Sequence, residues 1–370
     1  MQHALRVKVL GASAIRDLTS VRDGETKLGQ ALSALESPKA GATLASLRDA
    51  LERKCQEGVR YAVIGVPEDI GPRANLGRGG AHEAWGAFLC AFVNIQANRF
   101  LAPEKICVVG EVDVADLQER GSNLDSSNAS DLKALRELCS EVDTRVAAVI
   151  EQIVGAGLEP IVIGGGHNNT YPIQKGLSAA RTAKGKQAGV CCVNCDPHAD
   201  FRAMEGRHSG NGFTYSQSEG ILKAYYVLGL HESYNSQTVL DSLRKAGLEF
   251  CTYEDIKIRD RRSWRDSVGD AIKYVKTNGE LPVGVELDLD SIAFLPVSAE
   301  TPSGLTIEEA AHYVYRVASE CSSVAYFHVP EGAPMHHANA HTGKRYVGRT
   351  IVSAVLAYVR GREESRAHIT

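Results

Sequence analysis

The amino-acid sequence predicts an α/β protein of three layers, α/β/α, in which helices cover both faces of a mostly parallel sheet of about eight strands. Short apolar segments recur along most of the chain and alternate with longer segments of helical periodicity. This alternation is typical of parallel sheets that are buried on both faces. No segment rich in proline or serine interrupts it, so we expect one main domain.

The N-terminal part of the chain has a different pattern. Leu44, Leu47, Leu51 and Cys55 recur at helical spacing, with charged residues between them. We interpret residues 1–58 as a helical lead-in that packs on the main domain. Residues 59–370 are then a single domain that contains the whole sheet.

Eight apolar segments predict the strands of this sheet, at residues 61–66, 106–109, 161–163, 190–193, 226–228, 250–252, 283–287 and 324–327. Helices are expected over residues 81–94 and near residues 130–156 and 171–181. A loop rich in glycine, proline and asparagine separates the first of these strands from the first of these helices.

Composition and charge exclude several classes of protein. The 41 basic and 45 acidic residues are spread along the chain, which argues against nucleic-acid binding. No apolar stretch approaches the roughly 20 residues that a membrane span needs, so no membrane partner is expected. Nine cysteines without the spacing of a disulfide framework favour reduced thiols. We expect a cytoplasmic protein; an N-terminal transit peptide is the alternative, because the first acidic residue is Asp17.

Three clusters of acidic and histidine side chains follow predicted strands. They supply six nitrogen or oxygen ligands, namely His167, Asp196, His198, Asp200, Asp288 and Asp290. Any one cluster could consist of helix caps or solvated carboxylates. Three clusters at strand ends are different, because ligands of parallel sheets bind beyond the carboxyl ends of the strands and buried carboxylates without cations are costly. Carboxylate-rich sites with one imidazole per metal suit Mn²⁺.

Local spacing supports this interpretation. Asp196, His198 and Asp200 occupy alternate positions, so an extended backbone points all three side chains to one side. Asp288 and Asp290 have the same spacing. His167 follows three glycines, whose missing side chains allow a tight turn and a close approach to a metal or substrate.

These clusters resemble the signature of the ureohydrolase superfamily, which comprises arginases, agmatinases and formimidoylglutamases. The resemblance runs from Tyr61 to the C-terminal helix and includes the loop at 67–71, the turn at 304–306 and the segment at 331–334. It implies an arginase-like catalytic domain over residues 59–370 and a homo-oligomer. The chain departs from the commonest family pattern at Pro197 and after His167, where Asn168 and Asn169 stand, but no ligand is lost.

The resemblance also implies a binuclear site with two Mn²⁺ ions per subunit. One ion would be held by His167, Asp196, Asp200 and Asp288, and the other by Asp196, His198, Asp288 and Asp290. A hydroxide shared by the two ions would attack the carbon of a C=N bond in a formimidoyl or guanidino group. Asp200 would orient this hydroxide.

Two further residues complete the implied catalytic set. His208 matches the position of a loop histidine that shuttles protons, and a histidine with an ordinary pKa suits that task. Its alternative is an imidazole exposed to solvent. Glu331 would pair with the cationic amidinium or guanidinium of the substrate, since a carboxylate accepts two parallel N–H bonds. Its alternative is a solvated loop carboxylate.

Charge near the clusters guides the choice of substrate. Arg202 and Arg207 flank the predicted site, and such cations favour a substrate with an anionic tail. Asn211 could add a neutral hydrogen bond or form a turn, and Arg202 could instead hold a structural carboxylate. The sequence thus favours hydrolysis of N-formimidoyl-L-glutamate to L-glutamate and formamide. The alternatives are an arginase or other guanidino-acid hydrolase that releases urea, and a metal-binding homologue without activity.

Overall fold

A computed structural model describes residues 4–38, 41–277 and 281–367. Its core is a sheet to which the described part of the chain contributes ten strands: β1 (Val7–Val9), β2 (Ser33–Ala34), β3 (Tyr61–Gly65), β4 (Ile106–Val112), β5 (Glu159–Ile163), β6 (Val190–Cys195), β7 (Leu222–Leu230), β8 (Glu249–Thr252), β9 (Val283–Leu287) and β10 (Val324–Val329). Their spatial order is β1-β4-β3-β5-β10-β9-β6-β7-β8, and β2 also pairs with β4. The eight predicted strands correspond to β3 through β10.

All described pairings in the sheet are parallel except that of β1 with β4. The strands β3, β5, β6, β9 and β10 are buried at every position. Burial on both faces explains why these strands appear in the sequence as continuous apolar runs without alternation.

Helices lie on both faces of the sheet. They are α1 (Ala12–Leu18), α2 (Leu44–Gln56), α3 (Ile70–Ala74), α4 (Ala84–Phe92), α5 (Ala115–Gly121), α6 (Ala129–Gly155), α7 (Thr170–Ala183), α8 (Gly212–Ser218), α9 (Gln237–Lys245), α10 (Tyr253–Lys257), α11 (Trp264–Lys276), α12 (Ile307–Glu320) and α13 (Ala340–Ala367). One apolar core packs the sheet against α4, α11, α12 and α13, and a second packs it against α2, α6 and α7. The predicted three-layer α/β/α fold is therefore confirmed.

The predicted helices near 130–156 and 171–181 correspond to α6 and α7. The helix expected over 81–94 begins as a short 3-10 turn, Ala81–Glu83, and continues as α4. Among the described residues, no helix has both the length and the hydropathy required to cross a membrane.

The lead-in over residues 1–58 is not purely helical, and this part of the prediction needs correction. It contains α1 and α2, but it also contributes β1 and β2 to the main sheet. These strands are three and two residues long and owe their conformation to pairing with β4. So short a strand has no periodicity to detect. Residues 1–3 and 39–40 lie outside the described part.

Candidate metal centre

Four neighbouring strands of the sheet bring the predicted ligands to one edge. The strands β5, β10, β9 and β6 are consecutive in space, although they are far apart in sequence. His167 follows β5, Glu331 follows β10, Asp288 follows β9 and Asp196 follows β6. Because all four strands are parallel, their carboxyl ends meet at this edge.

His167 lies at the centre of the first group of ligands. Its Nδ1 atom is 2.9 Å from a carboxylate oxygen of Asp200, 2.9 Å from one of Asp288 and 3.2 Å from one of Asp196. One ligand atom from each of these four residues lies within 4.8 Å of the others. The imidazole and three carboxylate oxygens thus surround a space that fits a divalent cation.

His198 and Asp290 extend the group on one side. The Nδ1 atom of His198 is 3.5 Å from Asp196 Oδ1 and 3.8 Å from Asp290 Oδ2. Asp196 therefore faces His167 with one oxygen and His198 with the other. This arrangement suits a carboxylate that bridges two cations. The side chain of His198 is 30% exposed, whereas Asp196 is fully buried.

Backbone groups hold the acidic loops in shape. The N–H of His198 donates to Asp196 Oδ1 at 2.7 Å, and the N–H of Asp290 donates to Asp288 Oδ1 at 2.8 Å. Asn235 braces the first loop, since it accepts from the N–H of Ala199 and donates to the carbonyl of Pro197. The first two bonds orient the carboxylates of Asp196 and Asp288, and those of Asn235 hold the backbone of the first loop.

The titration behaviour of the site reflects crowded carboxylates. Burial and repulsion by Asp196 raise the pKa of Asp200, and burial and repulsion by Asp290 raise that of Asp288 well above its ordinary value. Burial raises the pKa of Asp290 to about 6. Although burial lowers the pKa of His198, Asp196 raises it to about 10. Bound cations would relieve this repulsion, so the donor set fits a pair of divalent metal ions.

A cavity of about 350 Å³ opens onto these ligands. Its lining includes His198, Asp200, Asp288, Asp290 and Glu331. The N–H of His167 donates to Oε1 of Glu331 at 2.7 Å, and the buried Oε2 atom has no hydrogen-bond partner among the described residues. Burial raises the pKa of Glu331 to about 8, assisted by repulsion from Asp290. An unpartnered carboxylate oxygen beside the ligands is suited to a cationic substrate group.

Arg202 also lines this cavity. Its side chain is exposed, and no ion pair of this arginine occurs among the residues that the structure describes. The alternative in which Arg202 holds a structural carboxylate therefore finds no support. The guanidinium is free to meet an anion in the cavity.

Arg207 and Asn211, in contrast, are parts of the protein interior. Arg207 is buried, pairs with Asp143 at 2.8 Å and lies over the rings of Tyr171 and Tyr215. Asn211 accepts from Arg207 at 2.5 Å and donates to the carbonyls of Ala203 and Gly206. The polar groups of these two residues are already occupied by the fold, so the structure gives no support to their predicted substrate contacts.

His208 is also placed differently from the prediction. It is buried, its Nδ1 accepts from the N–H of Gly210 at 3.1 Å, and its Nε2 is 3.3 Å from Glu205. Burial lowers its pKa to about 3, with a further contribution from neighbouring arginines. It forms no ion pair with the clustered carboxylates in the described part of the chain. His208 is therefore not the solvent-exposed imidazole of the alternative, and its contacts with Gly210 and Glu205 give the predicted proton shuttle no support.

The sequence interpretation missed two carboxylates that support the ligands. Glu68 accepts from the N–H groups of Gly71 and Gly166 and from the side chain of Asn169, and so ties the glycine turn to the loop after β3. Glu286 lies on β9, where its side chain approaches His167. Its position two residues before Asp288 was a usable signal, because alternate residues of a strand share a face.

Fold and site together define a metal-dependent hydrolase built on an open parallel sheet. A family model described as the arginase family matches residues 59–357, and the chain belongs to this family. Formimidoylglutamase of Streptococcus pyogenes serotype M3 is 28% identical over 294 residues, which cover 77% of this chain and 81% of that protein. The predicted resemblance to the formimidoylglutamase branch of the ureohydrolases is thereby confirmed, as is activity as a metal-dependent amidino hydrolase.

Solved structures show the same fold. Formimidoylglutamase of Bacillus subtilis superposes with a TM-score of 0.69 at 18% identity, over 94% of this chain and 95% of that one. Formiminoglutamase of Trypanosoma cruzi, solved with two Mn²⁺ ions, superposes with a TM-score of 0.65 at 19% identity, over 90% of this chain and 99% of that one. Proclavaminate amidino hydrolase of Streptomyces clavuligerus superposes with a TM-score of 0.61 at 19% identity, over 82% of this chain and 93% of that one.

Proposed function

We propose that this chain is a binuclear manganese hydrolase whose best substrate is N-formimidoyl-L-glutamate. The observation that carries the proposal is the position of His167 Nδ1, which faces three carboxylates at 2.9 to 3.2 Å. The proposed ligands are His167, Asp196, Asp200 and Asp288 for one ion and Asp196, His198, Asp288 and Asp290 for the other. Oxygen-rich ligand sets of this kind, with one imidazole per ion, suit Mn²⁺.

When bound, such a pair of cations lowers the pKa of a water molecule that they share and so supplies a nucleophile at neutral pH. The side chains do the rest of the work. Asp200 lines the cavity beside His198 and is the proposed group that orients the attacking water and accepts its proton. The carboxylates are largely buried, and an environment of low polarity strengthens their interaction with charged groups.

Glu331 is the proposed partner of the cationic formimidoyl group. Its Oε1 is already bound to the backbone of His167, so its orientation is fixed before substrate arrives. Its Oε2 is buried and unpartnered, and a charge-assisted bond from an amidinium N–H would satisfy it. This contact places the reactive carbon next to the proposed metal ligands.

Arg202 is the proposed partner of an anionic substrate tail. It is exposed, lines the same cavity as Glu331 and has no ion pair among the described residues. N-formimidoyl-L-glutamate carries its cation at one end and carboxylates at the other, which matches a cavity with Glu331 and Arg202 in its lining. Relatives named formimidoylglutamase support this substrate over arginine or agmatine.

The wider organisation follows from the same observations. We propose that residues 59–370 form the catalytic domain, since the family match begins at residue 59, and that the lead-in packs on one edge of its sheet. All nine cysteines are free thiols, which supports a reducing, cytoplasmic compartment. A homo-oligomer remains part of the proposal on the strength of the family resemblance.

The decisive experiment is to measure product release by the Mn²⁺-loaded protein from N-formimidoyl-L-glutamate, L-arginine and agmatine. Formamide release that disappears on chelation would support the whole proposal. Urea release from arginine would keep the metal chemistry and reject the substrate. Absence of product from all three substrates, despite two bound ions per chain, would favour the non-catalytic homologue.

A further inference from the structure

Glu286 is a fully buried carboxylate in the middle of the sheet, two residues before the proposed ligand Asp288. Three donors converge on it. The hydroxyl of Thr170 donates to Oε1 at 2.5 Å, that of Tyr326 donates to Oε1 at 2.7 Å, and Nδ1 of His328 lies 2.7 Å from Oε2. A carboxylate has about four lone-pair sites, so these three donors leave about one unused.

His167 occupies the remaining side of this carboxylate. Its Nε2 atom is 3.4 Å from Glu286 Oε2, on the edge of the ring opposite to the one that faces Asp196, Asp200 and Asp288. Nε2 is buried and makes no hydrogen bond of ordinary geometry among the described residues, so the Glu286 carboxylate at 3.4 Å is an acceptor within reach of its proton. The imidazole of His167 therefore lies between the carboxylate of Glu286 and the three aspartates of the proposed metal site.

We propose that Glu286 is a positioning residue that makes His167 a metal ligand through Nδ1. A neutral imidazole has one N–H and one lone pair. If Glu286 accepts the Nε2 proton, Nδ1 must present its lone pair to the space enclosed by the three aspartates. Histidines that bind metals usually give their other N–H to a carboxylate or carbonyl, and this partner raises their basicity.

Neighbouring strands explain why Glu286 is so firmly oriented. His328 on β10 is paired in register with Glu286 on β9, and Thr170 begins α7 immediately after the turn that carries His167. Tyr326 is itself fixed by a bond from Gln174 at 2.9 Å. The donors come from two elements, so the carboxylate cannot rotate away from His167 without breaking buried hydrogen bonds.

The competing explanation is that Glu286 is only a buried counter-group for His328. In that case its removal would lower stability without a specific effect on metal binding. A matched control is available in Glu159, another buried carboxylate of the sheet, which pairs with Arg362 at 3.1 Å and forms no ion pair with the proposed ligands in the described part of the chain. Glu159→Gln makes the same chemical change as Glu286→Gln at a remote position.

The test is a titration of metal-free protein with Mn²⁺, in which electron paramagnetic resonance measures the concentration of the free ion. Glu286→Gln is expected to weaken Mn²⁺ binding at the site that contains His167 about 10- to 100-fold, the usual cost of losing an outer partner of a ligand. Thr170→Val, which removes only one donor, should give a smaller loss. Glu159→Gln should bind Mn²⁺ as the unmodified chain does.

A second readout is ¹⁵N NMR of the histidines in protein loaded with diamagnetic Zn²⁺. In the unmodified chain the His167 proton is expected on Nε2, and in Glu286→Gln this tautomer signal should shift or disappear. Unchanged affinity and tautomer in Glu286→Gln, or an equal loss in Glu159→Gln, would overturn the inference. If Glu286→Gln does not fold, an unaltered Mn²⁺ affinity in Thr170→Val has the same consequence.

The inference rests on the proposed metal site, but different results would reject the metal site and the role of Glu286. Absence of Mn²⁺ binding by the unmodified chain would reject the metal site itself. Normal binding by the unmodified chain together with normal binding by Glu286→Gln would reject only the role of Glu286.

Discussion

The backbone N–H of His167 donates to Oε1 of Glu331 at 2.7 Å, so the proposed metal ligand and the proposed substrate-binding carboxylate are joined directly. The two residues follow β5 and β10, which are neighbours in the sheet although they are distant in sequence. One oxygen of Glu331 thus serves the fold, and the other is left for a ligand. Because the two oxygens have different partners, we expect a change at Glu331 to affect substrate binding without affecting metal binding.

Glu331→Gln should lower kcat/KM about 10- to 100-fold, because a hydrogen bond to a charged group contributes about 1.5 to 3 kcal/mol. Metal content should stay nearly unchanged, since Gln can still accept the N–H of His167. Steady-state kinetics and elemental analysis of the same preparation check this. Loss of metal in step with activity would contradict the assigned role.

Asp200→Asn and His198→Ala should each lower metal affinity and turnover together, because both side chains face the proposed cation positions. The loss of affinity should exceed the about 10- to 100-fold expected for an outer partner. Asp241→Asn, an exposed carboxylate on α9, is the matched control. Full metal content in Asp200→Asn would remove this residue from the ligand set.

Arg202→Ala should raise KM for N-formimidoyl-L-glutamate about 10-fold, whereas KM for a guanidino substrate without a carboxylate should change little. Arg202→Lys keeps the charge but loses the planar fork, so an intermediate value is expected. Comparison of the two substrates in each variant provides the measurement. An unchanged preference would remove the argument for an anionic tail.

Arg207→Met should destabilise the fold rather than alter substrate preference. The change leaves Asp143 buried without its partner, and breaking a buried ion pair typically costs about 3 to 5 kcal/mol. Chemical denaturation of the metal-free protein measures the loss. A folded variant with ordinary stability and a specific defect in KM would restore Arg207 to the substrate site.

The pair formed by His82 and Asp69 at 2.8 Å should make stability depend on pH. The hydrogen bond to Asp69 raises the pKa of His82, so its contribution is complete below the unfolded value of about 6.5 and is lost as pH rises through the folded pKa. Although burial raises the pKa of Asp69, the bond from His82 lowers it to about 2, so its own contribution is lost as pH falls from about 4 towards 2.

Denaturation midpoints between pH 6 and pH 9 test the first of these effects. His82→Gln should flatten the decline of stability above about pH 6.5, since glutamine does not titrate. An identical decline in the variant would show that another group is responsible.

The amino-acid sequence alone determined the class of fold and the metal ligands that we propose. Burial on both faces makes each parallel strand a continuous apolar run, and the polar residues that follow such a run are placed at the carboxyl edge of the sheet. Both signals are local, so β3 to β10 and the positions of the six proposed ligands could be predicted. The sequence could not reveal β1 and β2, because strands so short are defined only by their pairing with β4.

Only the tertiary structure decided which charged side chains are free to meet a substrate. Arg202 and Arg207 are equivalent in a loop sequence, yet Arg202 lines the cavity, whereas Arg207 pairs with Asp143 of α6 and lies over two tyrosine rings. His208 is buried in the interior for the same reason. The burial of a loop side chain depends on partners that are distant in sequence. A polar side chain can be buried without a large loss of free energy only where the assembled fold supplies those partners.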